Sequence, residues 1–110
     1  MQQIESLIFC EGGSDAAALI GIGCEFVVGR SSALTDIEKC VKIAERVRPK
    51  TSIVIADNDP VGLAGANKLA ARIGGQVLRL PENTKDARIF VKNGGSLADL
   101  MKLLDVTPVG

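Results

Sequence analysis

The chain has 110 residues, 46% of them apolar, and its thirteen basic and thirteen acidic side chains cancel to a net charge of zero. That length suits one packed core, and the charge balance disfavours tight autonomous nucleic-acid binding, which usually needs a basic excess. Three Phe, with no Trp or Tyr, argue against a stacking platform for single-stranded bases.

Read in order, the chain alternates short apolar runs with segments of helical period. Leu7-Ile8-Phe9-Cys10 is a first buried strand. A helix is predicted from about Ser14, a good N-cap, through Ile20, ending at Gly21 and Gly23. Glu25-Phe26-Val27-Val28 is a second strand, closed by Gly29.

A longer helix follows, from Thr35 or Asp36 to Arg48. Its residues Ile37, Cys40, Val41, Ala44 and Val47 fall on one apolar stripe, and Pro49 marks its end. Ser52 to Ala56 is the third strand. The next helix begins at Pro60, buries Leu63, Ala66, Leu69, Ala70 and Ile73, and stops at Gly74-Gly75. Gln76 to Leu80 is the fourth strand, ended by Pro81. A short helix over 87–93 and a final one from Leu97 to Leu104 complete the pattern, with Ser96 and Asp99 in capping-box spacing.

Repeated strand–helix units with short loops predict an α/β fold: a four-stranded parallel sheet with right-handed crossovers and helices on both faces. The simplest strand order is 2-1-3-4, which sets strands 1 and 3 side by side at a switch point where a crevice opens. The expectation is a single domain over 1–110, with its core at about 5–104. Cys10, Cys24 and Cys40, odd in number and set in apolar context, read as buried free thiols in a reducing cytosol. No zinc site is expected without a His or a C-x-x-C pair. The sequence has neither a signal peptide nor an apolar run of membrane-spanning length, so a cytoplasmic protein with no membrane partner is expected.

The chemistry gathers after strands 1 and 3, in Glu11-Gly12-Gly13-Ser14-Asp15 and Asp57-Asn58-Asp59. Carboxylates that converge on one sheet edge repel one another unless a cation compensates. If strand geometry persists past Ala56, Asp57 and Asp59 point the same way, about 6.5 Å apart, with Asn58 turned away. Two such groups can bind Mg²⁺ directly or through water, and Glu11, facing them from the next strand, can complete the site or move a proton. An isolated D-x-D is more often a pair of loop-capping aspartates; the neighbouring E-G shifts the balance towards a site. Asp15 is either a first-turn residue complementing the helix dipole or an outer-shell acid at the metal. Gly29-Arg30-Ser31-Ser32 offers Arg30 and backbone amides to a phosphate, or is a polar loop with a helix cap.

E-G-x-x-D after strand 1, the glycine after strand 2 and A-D-N-D-P-x-G at 56–62 together resemble the Toprim domain, over roughly residues 5–104. That fold is shared by topoisomerases, DnaG-type primases, OLD-family nucleases, RecR-like repair proteins and small ribosomal-RNA maturases. D-N-D-P-x-G followed by Ala66-x-x-Leu69-Ala70, then Leu80-Pro81 and Lys85-Asp86, is most similar to the primase and phage primase-helicase branch. The resemblance implies that Glu11 is an acid–base residue that also binds metal, and that Asp57 and Asp59 are metal ligands. It implies that Asp15 and Asp86 are supporting residues, Asp86 as a further metal or structural contact. Lys85 is a candidate phosphate contact or an exposed lysine. The cofactor implied is Mg²⁺ or Mn²⁺.

Two departures bear on activity. The chain has no tyrosine for covalent strand cleavage, and it lacks the Cys/His zinc module and basic template-binding region of primases. The leading expectation is a Mg²⁺-dependent, primase-like core for nucleotidyl or phosphoryl transfer on nucleic acid. It would bind nucleic acid or nucleotides weakly when isolated and act with other domains or protein partners. The alternatives are a nuclease of the maturase or OLD kind and a non-catalytic, RecR-like binding module.

Overall fold

The computed structural model describes residues 3–30 and 36–105. Nine elements follow in chain order: β1 (Ser6–Glu11), α1 (Gly13–Gly21), β2 (Val27–Arg30), α2 (Ile37–Val47), β3 (Thr51–Ala56), α3 (Pro60–Ile73), β4 (Gln76–Arg79), α4 (Ala87–Lys92) and α5 (Leu97–Asp105). The four strands form one parallel sheet in the order β2-β1-β3-β4, the arrangement expected.

Side-chain alternation along each strand feeds two apolar layers. Ile8, Cys10, Ile53, Ile55 and Leu78 pack on one face with Leu19, Phe90 and Leu100, from α1, α4 and α5. Leu7, Phe9, Val54 and Ala56 pack on the other with Cys40 and Val41 of α2 and with Ala66, Leu69 and Ala70 of α3. Strands buried on both faces explain the unbroken apolar runs in the sequence. Fully burying an aliphatic side chain such as Leu19 or Leu69 contributes about 1.5–3 kcal/mol. The three cysteines are buried and free, as expected. Burial, with Asp15 adding to it, pushes the Cys10 thiol up to about 12, so it is an unreactive core residue.

Several boundaries differ from the sequence expectations. Gly12, not Ser14, is the N-cap of α1, and its φ of 88° is a conformation that L side chains rarely adopt. The sharp turn there starts the helix two residues early and leaves Ser14 exposed in the first turn. Gly29 does not close β2 but lies inside it, paired with Cys10, because β1 runs on to Glu11 and draws Arg30 into register. A Cβ at Gly29 would stand 2.9 Å from the Gly12 carbonyl oxygen, so the first loop can cross β2 only over a glycine. β3 begins one residue earlier than expected, at Thr51, and β4 ends at Arg79. The capping box of α5 is as expected: Ser96 N donates to Asp99, and Asp99 N donates to Ser96 Oγ. Ser31, Ser32 and the Thr35 alternative for the start of α2 lie outside the described residues; Asp36 occupies the N-cap position of α2. Among the described residues no helix is long and apolar enough to cross a membrane.

Candidate functional site

The C-terminal ends of β1 and β3, adjacent in the sheet, bring Glu11 and Asp57 together. Glu11 is the last residue of β1, and Asp57 is the first residue beyond β3. Their side chains come within hydrogen-bonding range, and both are partly buried. Burial, then the hydrogen bond to Glu11 and the negative charges of Glu11, Asp15 and Asp86, raises the Asp57 carboxyl to about 7. Asp57 Oδ1 is buried with no hydrogen-bond partner among the described residues. A carboxyl oxygen in that condition is costly unless a proton or a cation reaches it.

The rest of the D-N-D motif behaves differently. β3 ends at Ala56, so strand alternation does not carry through to Asp59. Asp59 is instead the N-cap of α3, its Oδ1 accepting from Gly62 N at 2.6 Å, with Pro60 in the first helical turn. One of its oxygens is thereby committed to the backbone. Gly62 is required here, because a Cβ would lie 2.9 Å from Asp57 Cβ and 3.1 Å from Asp59 Oδ1. Among the described residues no three Asp, Glu, Cys or His side chains are gathered tightly enough to hold a metal ion. The carboxylates fit a cation through the unsatisfied Asp57 oxygen and its Glu11 neighbour, not through a finished cage.

Asn58, between the two aspartates, has a task of its own. Its Nδ2 faces three backbone carbonyls of the loop before α4, those of Leu80 at 3.3 Å, Pro81 at 2.9 Å and Thr84 at 2.6 Å. Its backbone N–H donates to the Lys85 carbonyl at 2.7 Å. Asn58 thus staples the loop after β3 to the loop after β4. The sequence offers no local signal for this, since the carbonyls lie more than twenty residues away.

That staple brings in the remaining acids. Asp15, 5% exposed in the first turn of α1, accepts from Arg88 N at 3.3 Å, and Asp86 caps α4 by accepting from Ile89 N at 2.9 Å. Burial and the nearby Asp86 raise the Asp15 carboxyl, while the backbone N–H groups of Arg88 and Ala87 oppose that shift. Lys85 is exposed. Arg30, at 2% exposure, ends β2 opposite Glu11 and is a buried member of the sheet edge. A cleft of about 350 Å³ opens on the other side of Asp57, between the ends of β3 and β4, with Asp59, Leu63 and Arg79 in its lining.

No protein-family model and no curated protein matches the sequence. Solved structures do match. A DNA primase domain from Pseudomonas aeruginosa superposes with a TM-score of 0.75 at 21% identity, over 96% of this chain and 34% of that one. A DnaG primase catalytic domain bound to ssDNA gives 0.72 at 21% identity, over 96% and 36%. A small TOPRIM domain protein from Bacillus stearothermophilus gives 0.64 at 17% identity, over 80% and 76%. The chain thus spans about a third of the length of the primase structures it matches. With its parallel 2-1-3-4 sheet and its acidic loops after β1 and β3, this chain has the Toprim fold.

Proposed function

We propose that the chain is a Mg²⁺-dependent, primase-like Toprim core that transfers nucleotidyl or phosphoryl groups on nucleic acid with the help of further domains or protein partners. One observation carries the reading: Asp57 presents a buried oxygen with no partner among the described residues, beside Glu11, at the switch point of the sheet. Asp57 and Glu11 would hold the ion, with Asp59 contributing the oxygen not used in its cap. When bound, Mg²⁺ supplies charge stabilisation to phosphate oxygens.

The residues themselves divide the remaining work. Asp57, raised to about 7, would hold a cation in its deprotonated form. Glu11, beside Asp57, would accept a proton from a reacting hydroxyl and pass it to solvent. Asp15 and Asp86 stay bonded to the backbone of α4 and act on Asp57 only through their charge. Nucleic acid as the substrate is supported by the DnaG catalytic domain bound to ssDNA, a fold neighbour. The zero net charge points to further surfaces for grip.

A second reading, a binding module without catalysis, draws on the lack of a ready three-ligand cluster among the described residues. An NMR titration separates the two. Millimolar Mg²⁺ or Mn²⁺ should perturb Glu11, Asp57 and Asp59, and labelled DNA or RNA incubated with and without nucleotides should then be extended or cut. Resonances that stay in place at millimolar metal would sink the metal-dependent reading.

A further inference from the structure

We propose that the cleft between the ends of β3 and β4 binds a phosphate-bearing ligand, and that Arg79 is the side chain that holds its phosphate. The proposal rests on the reading of Asp57 as part of a phosphate-handling site, and it places the ligand over β3 and β4 instead of over β1.

Arg79 is the last residue of β4 and the register partner of Ala56, one residue before Asp57. It is exposed and lines the same cleft as Asp57 and Asp59. Among the described residues its side chain has no ion pair and no hydrogen bond, although two carboxylates line that cleft. Arg72, by contrast, is held in a two-pronged pair by Glu38. A guanidinium presents a planar fork of donors that matches phosphate oxygens two at a time.

The cleft has the division of character that a nucleotide or a nucleic-acid strand requires. Ala56, Pro60 and Leu63 supply an apolar floor, Asp57 and Asp59 an acidic rim, and Arg79 the opposing cation. Its volume of about 350 Å³ falls at the small end of the range for ligand sites, about 300–1,000 Å³. A ligand lying there would set a phosphate between Arg79 and the carboxylates. Free nucleotides and the backbone of a single strand share that chemistry.

The test compares wild type, Arg79→Ala and Arg79→Lys by NMR, first with Mg²⁺ alone, then with a Mg²⁺–nucleoside triphosphate, and separately with a short single-stranded oligonucleotide. Arg79→Ala should weaken binding about tenfold or more, the scale of a lost charge-assisted contact, while Arg79→Lys recovers part of it. Its response to Mg²⁺ alone at Glu11 and Asp57 should match wild type. Loss confined to the triphosphate identifies a free nucleotide; loss confined to the oligonucleotide identifies a strand phosphate. Equal affinity of wild type and Arg79→Ala for both ligands, or no binding of either by wild type, overturns the proposal. If wild type gives no response to Mg²⁺ yet Arg79→Ala still loses ligand, the metal reading fails and the phosphate site stands.

Discussion

The acidic corner at the start of α4 and the acidic edge after β1 and β3 are built from the same residue types, yet they end in opposite states. In the corner, Asp15 and Asp86 both accept backbone N–H groups at the beginning of a helix, where the amide dipoles favour negative charge. At the edge, Asp57 has a buried oxygen with no donor among the described residues and the Glu11 carboxyl as its neighbour. A carboxylate supplied with N–H donors is part of the scaffold. One supplied with another carboxylate is a place for a proton or a cation.

The contrast is most sharply broken at Asp57. Asp57→Asn should weaken Mg²⁺ binding at least about a hundredfold, since loss of mere outer-shell partners already costs tenfold to a hundredfold. Metal-induced shifts at Glu11 provide the readout. The same variant should also alter the pH dependence of stability. The folded Asp57 carboxyl titrates near 7 against an ordinary value of 3.8, so between those values the folded chain holds a proton that the unfolded chain has lost. The stability that Asp57 contributes to the metal-free protein should therefore be fully present below about pH 4 and be lost as pH rises through 7. Thermal melts in chelator at pH 5 and pH 8 should show that decline in wild type and much less of it in Asp57→Asn. Added Mg²⁺ should restore stability at pH 8 in wild type only.

Next in size is Asp15→Ala, which strips the Arg88 N–H of its acceptor inside a buried corner. A loss of about 1–3 kcal/mol is expected, seen as a lower denaturant midpoint, with metal binding little changed. If metal affinity collapses while the fold survives, Asp15 belongs to the edge and the comparison fails. The smallest effect is expected for Asp86→Ala, the loss of a helix cap worth about 1 kcal/mol. Hydrogen exchange confined to the first turn of α4 would locate it there; exchange spreading to Asn58 would mean that Asp86 also supports the staple.

How much of this was legible beforehand varies by residue. The strands announced themselves because burial on both faces demands unbroken apolar runs, and the order 2-1-3-4, expected as the simplest arrangement, is the one observed. Glu11 and Asp57 were legible as neighbours because each stands at the C-terminal end of such a strand. Asp59 was legible only in part: the chain leaves the strand at Ala56 and one Asp59 oxygen caps α3, while both aspartates line one cleft. Ser14 looked like the cap of α1, yet Gly12 turns the chain first. The roles of Asn58 and Arg79 had no local mark, since each depends on where β4 and its following loop lie.

The sequence by itself determined the parallel α/β layering, the buried thiols and the placing of Glu11 and Asp57 at the C-terminal ends of buried strands, because periodicity and strand-end chemistry are local properties. Only the tertiary structure decided which carboxylates are satisfied and which are not. Backbone N–H groups from α4 reach Asp15 and Asp86, Gly62 N reaches Asp59, and among the described residues no donor reaches Asp57 Oδ1. Satisfaction of a buried polar atom is a matter of what lies within about 3 Å in space, and sequence separation carries no information about that.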